Sequence, residues 1–589
     1  MTSIDILLTD HLDLWTSAIA HRSVSGRGRS KKFSLHGIEK LRGLILDLAV
    51  RGKLVPQDPE DEPAAELLKQ IRSEKVRLLR TNRLKEAKAL PEPGARESVS
   101  SLPRGWVWSQ LGAVGFISPR NLAADAQEAS FVPMPMIASE YGVANEHEVR
   151  PWGEIKKGYT HFAEGDVGLA KITPCFENGK STVFRGLTGG IGSGTTELHI
   201  LRPVIVDPDY LLIFLKSPSF IAAGIPKMTG TAGQKRVPTE FFANSPFPLP
   251  PLAEQSRIVG KVDELMALCD RLEAGAHEAI EAHQLLVSEL LATLTTSRDA
   301  GELADNWALI EAHFDTLIAT EDSVDQLKQT ILQLAVMGRL VRQDPNDEPA
   351  AELLKRIKAA KVVAHEQEKL SVRSSQLKQV SKGVNFKIPR TWAITSFDDV
   401  FLIVSGITKG QKVPPSEAIE LPYLRVANVQ RGFLDLTEIK SIAVKSSDAR
   451  RYELRRGDIL MTEGGDWDKV GRAAIWSDEI ERCIHQNHVF RIRPPSEEIQ
   501  PEWVISYVNS AFGKQYFQDA SKQTTNLASI NKTQLRFCPL PVPPLAEQNR
   551  ILAKIDSLFK LCERLKSGLM DASDSKMEIA DAVVAKAIG

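Results

Sequence analysis

Two stretches of the chain carry apolar residues at the same steps. Ile258, Val262, Leu265, Cys269 and Leu272 are spaced 4, 3, 4 and 3, and Ile551, Ile555, Leu558, Cys562 and Leu565 repeat those steps. Such spacing predicts an amphipathic helix with a heptad seam along one side, the pattern of a coiled coil. Both helices open with one phrase, PPLAEQ, at Pro250 and at Pro543. A proline pair suits a first helical turn and not its interior. Glu254 and Glu547 fall in that turn, where the helix dipole favours a negative charge. The polar continuation EAGAHEAIEAHQLLVSELLATL carries the first helix beyond the length of a typical globular one.

A second pattern recurs at nearly half the chain length. Residues 38–71 return as residues 324–357, identical at 22 of 34 positions and at a constant offset of 286. A weaker echo sets LLTDHLDL from Leu7 against LIEAHFDT from Leu309. Solenoids repeat every ~20–50 residues, so this is an internal duplication. Its order is informative. The centre runs PPLAEQ, then the His313 motif, then LAVMGRL and DEPAAELLK, whereas the two ends hold the same parts split between them. The termini are therefore predicted to lie together and complete a second helical unit. Within the repeat, DPEDEPAAELLKQI and DPNDEPAAELLKRI predict an acidic turn followed by a helix. Asp58, Asp61 and Glu62, with Asp344, Asp347 and Glu348, read as caps and dipole partners in preference to a metal site.

Between the helical parts lie two segments that share little sequence. Each opens alike, LPRGWVWSQLG at Leu102 and IPRTWAITSFDD at Ile388, and each ends in a strand feeding a Pro-Pro helix start. Gly165-Asp166 corresponds to Gly457-Asp458, and Leu201-Arg202-Pro203 to Ile492-Arg493-Pro494. These are two copies of one α+β domain. The organisation expected is a helical region over 1–100, a recognition segment over 101–249, a central helical region over 250–385, a second segment over 386–542, and a C-terminal helix over 543–589 that pairs with the N-terminal region.

Composition narrows the chemistry. A chain of 589 residues exceeds one core. No apolar run is long enough for a membrane span, and the charged N-terminus is unlike a signal peptide. Five scattered cysteines suit a reducing cytoplasm and argue against a disulfide frame or zinc ribbon. FENGKS ends like a phosphate loop, but Pro174 replaces its first glycine. DPDY at Asp207 and NSPF at Asn244 lack the proline pair of an amino-methyltransferase loop. Cys483, His485 and His488 sit in an alternating run, which splits neighbours between faces and disfavours a metal. Nothing in the sequence supports catalysis.

What remains is glycine-flanked and polar, rich in residue types that read base edges: Arg or Lys for guanine, Asn or Gln for adenine, Thr for either or for the thymine methyl. Net charge is −1, and the segments hold 13 Lys+Arg against 13 Asp+Glu and 21 against 19. Neither is the basic domain of a self-sufficient DNA binder. Charge is either sorted onto one face or supplied by partners.

Two variable segments opening on an LPxGW-like phrase and closing into PPLAEQ, with GDILMTEGG in the second and circularly arranged helical repeats between, resemble the specificity subunit of a type I DNA restriction–modification system. The resemblance spans essentially the whole chain, and the DEPAAELLK pair points to members with a long N-terminal extension. It implies an α+β fold in which two target recognition domains are held by two antiparallel coiled-coil helical spacers in a circular, pseudo-two-fold arrangement. Each domain would read one half of a split, asymmetric sequence in double-stranded DNA. Two modification subunits binding S-adenosylmethionine and two ATP- and Mg2+-dependent restriction subunits would join it in the cytoplasm. The chain itself would have no catalytic residues, no metal and no cofactor.

The expected DNA contacts in the first domain are Lys171, Thr173, Lys180, Thr195, Thr196, Thr231, Gln234 and Lys235. In the second they are Lys409, Arg425, Asn428, Thr462, Lys469, Asn487, His488, Thr524, Thr525 and Asn526. Segment one has GDVGLAKI where the pattern has GDILMTEGG, which weakens the transfer of site positions there. Two rival readings are a non-DNA scaffold whose twin domains bind peptides or subunits, and a self-contained DNA methyltransferase or nuclease. The missing cofactor loops argue against the second.

Overall fold

The computed structural model describes residues 10–21, 33–81, 102–231, 233–368, 384–410, 413–465, 467, 470–524 and 527–589. Its contacts divide the chain into two units. One comprises Met1–Ile280 with Asp571–Gly589, the other Glu281–Met570. The C-terminal end of the chain thus belongs to the same unit as the N-terminal half, as the split repeat predicts.

In the first unit three helical stretches share one core. The helix His36–Val50 buries Ile38, Leu41, Leu44, Ile45 and Leu48, and the start of the long helix Leu252–Thr296 buries Ile258, Val262, Leu265 and Cys269. The end of the helix Leu545–Ile588 adds Met577, Ala580 and Val584. Polar contacts give the directions. Along His36–Val50, Phe33 meets His277 and then Arg42 meets Asp270, so that helix runs against the first long helix. His36 meets Asp581 and Arg51 reaches the Ile588 carbonyl, so it runs with the second. The two long helices are therefore antiparallel here. Ser573 also donates to the Ile19 carbonyl at 2.9 Å, tying the two ends of the chain together.

The second unit repeats the plan. Helix Glu321–Val336 runs against the second long helix, with Lys566 on Asp325 and Lys328 on Glu563. It runs with the first, where His283 pairs with the Thr316 carbonyl and Arg339 with that of Ser297. Ile551, Ile555 and Cys562 of the seam are buried in this core and Leu558 is partly buried. Leu565 departs from the predicted seam and is 38% exposed, whereas its counterpart Leu272 is partly buried. The first unit carries a longer connection before its helix, pairing Ala20–His21 with Phe33–Ser34, and Phe33 packs on the core that includes Leu272.

Each recognition segment is enclosed by its own first and last strands, Val107–Gln110 on Pro246–Leu249 and Ala393–Ser396 on Pro539–Val542, both antiparallel. Each contains an antiparallel four-stranded sheet in the same spatial order. In the first the order is Gly115–Ile117, Leu198–Pro203, Val167–Ala170, Ser181–Val183. In the second it is Leu402–Ser405, Val489–Arg493, Ile459–Thr462, Ala473–Ile475. The remaining sheets differ: a mixed four-stranded one in the first segment and two three-stranded ones in the second.

The PPLAEQ phrase is where sheet and helix lock. Trp106 donates to the Glu254 carboxylate at 2.9 Å and Gln57 at 3.2 Å. Gln255 donates to Pro250 and accepts from the Asp207 amide, and Arg257 forks onto Asp61. In the second copy Gln343 donates to Glu547, Gln548 bridges Pro543 and Gln500, and Arg550 forks onto Asp347. Glu254 and Glu547 are 1% exposed, and burial raises both carboxyls above the usual range. The first-turn glutamate is thus a buried acceptor as well as a dipole partner. Asp61 and Asp347 are ion-pair partners, while Asp58 and Asp344 cap their own turns by accepting the amides of Glu60 and Asn346. Gly52 and Gly338 have φ of +65° and +69°. A Cβ there would meet the prolines of the segment openings, Pro103 and Pro389, at 2.3 and 2.4 Å.

Candidate nucleic-acid interface

A buried ion pair holds the same turn in both domains. Asp166 takes both arms of Arg202 at 2.8 Å and the Ala163 amide at 2.7 Å. Asp458 takes Arg493 at 2.6 and 2.7 Å and the Arg455 amide at 2.8 Å. Burial raises the Asp166 carboxyl, and Arg202 opposes that shift. In the second domain Glu368 joins the cluster, pairing with Arg491, Arg493 and Arg455.

Five residues beyond each aspartate the backbones again coincide. The Lys171 amide donates to the Glu197 carbonyl at 2.9 Å and the Val237 amide to the Lys171 carbonyl at 2.8 Å. In the second domain the Glu463 amide donates to the His488 carbonyl at 3.0 Å, and the Ile530 amide to the Glu463 carbonyl at 2.8 Å. Lys171 therefore matches Glu463, Glu197 matches His488, and Arg236 matches Ser529.

This frame gathers most of the expected contacts of the first domain. Thr173 and Lys235 exchange hydrogen bonds, the amide of Gln234 donates to Thr231, and Thr195 caps the Glu197 amide. Thr196, Thr231, Gln234 and Lys235 are exposed. Lys180 lies apart, its ammonium on the Met134 carbonyl.

In the second domain the frame gathers Asn487 and His488. His488 Nδ1 is 2.6 Å from a Glu463 carboxylate oxygen, and the Asn487 amide lies 3.5 Å from His488 Nε2. The Asn487 backbone N–H donates to the Ile407 carbonyl at 2.9 Å, and the exposed Lys409 follows two positions along the chain. Gly464-Gly465 pairs with Leu527–Ser529, and that strand with Lys522–Thr524. Lys469, Thr525 and Asn526 lie outside the described residues, and Thr524 is placed by its backbone alone.

Three expected contacts are committed elsewhere. Asn428 is 3% exposed, accepts the Arg425 amide and donates to the carbonyls of Asp435 and Glu438. Arg425 pairs with Glu438 at 3.3 Å and donates to its carbonyl. Thr462 is 0% exposed because its strand is covered on both faces, so alternation brings no side chain to the surface.

Sequence reasoning passed over Glu197, Arg236 and Glu463. Arg236 forks onto Glu197 with both contacts at 2.9 Å, a pairing that holds the carboxyl below and the guanidinium above their usual ranges. Counting from the Gly-Asp landmark already aligns Lys171 with Glu463. Trp467, two positions beyond Gly465, is 45% exposed. Cys483 and His485 are buried, and no group of three or more metal-ligating side chains occurs among the described residues. No helix among them is long and apolar enough to cross a membrane.

The chain is similar to the type I restriction enzyme EcoEI specificity subunit of Escherichia coli, 43% identical with all of both chains covered. It is equally similar to the EcoAI specificity subunit of Escherichia coli, again 43% identical with full coverage of both. A solved HsdS subunit from Thermoanaerobacter tengcongensis aligns with 83% of this chain and 97% of its own, at 19% identity and a TM-score of 0.37. Residues 192–282 and 389–571 match the type I restriction modification DNA specificity domain family. With its duplicated domains and full-length likeness to two such subunits, the chain belongs to the type I specificity subunits, the non-catalytic component that gives a restriction–modification complex its DNA specificity.

Proposed function

We propose that each recognition domain reads one half of a bipartite target in double-stranded DNA, through the polar surface around Lys171 in the first and around Glu463 in the second. One observation carries this reading. The two domains keep the same buried frame and the same backbone hydrogen bonds, yet present different polar side chains from it. A surface kept for packing would have no reason to vary on a constant frame. A surface kept for reading two different sequences would. The target is therefore asymmetric, and the pseudo-two-fold repeat sets its halves about one helical turn apart, roughly 34 Å.

The two long helices set the spacing and dock two modification subunits, and through them two restriction subunits. S-adenosylmethionine, ATP and Mg2+ act on those partners in the cytoplasm. The near-neutral charge of both segments supports this division of labour, because phosphate neutralisation would fall largely to the partners.

Fluorescence anisotropy with the modification subunit present, on random and target duplexes at several salt concentrations, tests the reading. Salt-dependent binding that prefers one sequence is expected. Binding that ignores both salt and sequence would return the twin domains to a scaffold role.

A further inference from the structure

Three positions coincide in backbone between the domains while their chemistry changes completely. In the first domain they are Lys171, Glu197 and Arg236; in the second, Glu463, His488 and Ser529. The central residue is fixed from both sides, because its amide and its carbonyl are both spent on the neighbouring chain segments. Its side chain can therefore change without moving the frame.

Within each triplet one carboxylate holds one cationic or hydrogen-bonding group. Glu197, 23% exposed, grips Arg236, 42% exposed, in a two-point fork. Glu463, 30% exposed, holds Nδ1 of His488, 54% exposed. In each pair the carboxylate is the more buried member and its partner the more exposed. The carboxylate fixes the rotamer of a group that faces solvent. The polarity of the frame is also reversed: the acid lies at the flanking position in the first domain and at the central position in the second.

We propose that these three positions are specificity-determining in each domain, with Glu197 and Glu463 as positioning residues that aim Arg236 and His488 at the edges of bases. Nε and Nη2 of Arg236 are spent on Glu197 and Nη1 donates to the Gln234 carbonyl at 3.1 Å; each of the two Nη groups keeps a second hydrogen to donate, and Arg suits guanine acceptors. A histidine held at Nδ1 leaves Nε2 3.5 Å from the Asn487 side-chain amide, and the exposed pair together suits a purine edge. The proposal rests on the reading of both domains as DNA readers and adds which residues discriminate.

The experiment uses the complete modification complex and maps methylated sequences at base resolution. It compares wild type with Arg236→Ala, Arg236→Lys, Glu197→Gln, His488→Ala and Glu463→Gln. Arg236→Ala and Glu197→Gln are expected to relax the same base position of the first half-site, by roughly ten- to a hundredfold in discrimination. The second half-site should stay intact. Arg236→Lys, which keeps charge and loses the fork, should restore only part of it. His488→Ala and Glu463→Gln should do the reverse. Where an alanine variant lowers thermal stability, the near-isosteric Gln variants carry the comparison.

An unchanged motif in all variants would overturn the proposal. So would a loss of methylation spread evenly over all sequences, which marks a phosphate contact. Either result leaves the DNA-reading assignment standing. That assignment would fail only if the wild-type complex itself showed no sequence preference.

Discussion

The indole N–H of Trp106 donates to the Glu254 carboxylate at 2.9 Å, joining the phrase that opens the first recognition segment to the phrase that closes it. The two residues are 148 apart in sequence. The segment is thereby enclosed at its root, and its last strand enters the long helix at a fixed angle.

Removing that acceptor should be costly. Glu254→Ala leaves the buried indole donor of Trp106 unpaired, while Gln57 keeps its bond to the Gly52 carbonyl, and a loss of about 1–3 kcal/mol is expected. Glu254→Gln keeps one acceptor oxygen and should lose less. Denaturant unfolding curves measure both, and equal effects would show that the hydrogen bonds contribute little.

The buried Asp458–Arg493 pair of the second domain should matter more. Asp458 is 1% and Arg493 9% exposed. Asp458→Ala strands part of a buried cationic cluster, and a loss of about 3–5 kcal/mol is expected. Asp166→Ala should cost less, because Arg202 is 26% exposed and water can reach it. Thermal unfolding of the two variants, side by side, checks the order.

Acid should weaken the fold through two histidines. Burial pushes the His199 imidazole down to about 4 and that of His485 to about 3. An unfolded chain protonates them near the ordinary value of ~6.5. Below that pH the unfolded state therefore binds more protons than the folded one, and stability falls as pH drops from about 6.5 toward 4. Above it their contribution is complete. Unfolding midpoints between pH 8 and 4.5 should show the decline, and His199→Gln should make it shallower.

The hydrophobic steps at Ile258 and Ile551, the split repeat and the Pro-Pro entries were legible because each is local or recurs in the sequence. Leu565 lies at the last step of the heptad pattern and is 38% exposed, which the spacing alone does not reveal. The polar patch around Lys171 and Glu463 is legible in outline, since Thr173, Lys235, Asn487 and His488 lie in short polar stretches between strands. Asn428 and Thr462 look identical to these in sequence. They differ only in what packs over them, which is tertiary information. Glu197 and Arg236 escaped notice for the same reason: they are 39 residues apart, and their fork exists only in the folded domain.

Spacer length offers a further check. Adding or deleting whole turns within residues 275–300 should change the separation of the half-sites and leave both halves unchanged. Methylation motifs from cells carrying such variants report this directly, and an unaltered spacing would rule out the helices as the ruler.

The central claim is that two unlike domains on one duplicated frame read two unlike half-sites. Mapping methylated adenines across DNA from cells carrying the complete system tests it most directly. One asymmetric bipartite motif is predicted, its halves roughly one helical turn apart and separated by bases of no fixed identity. A palindromic motif, or a single uninterrupted one, would contradict it.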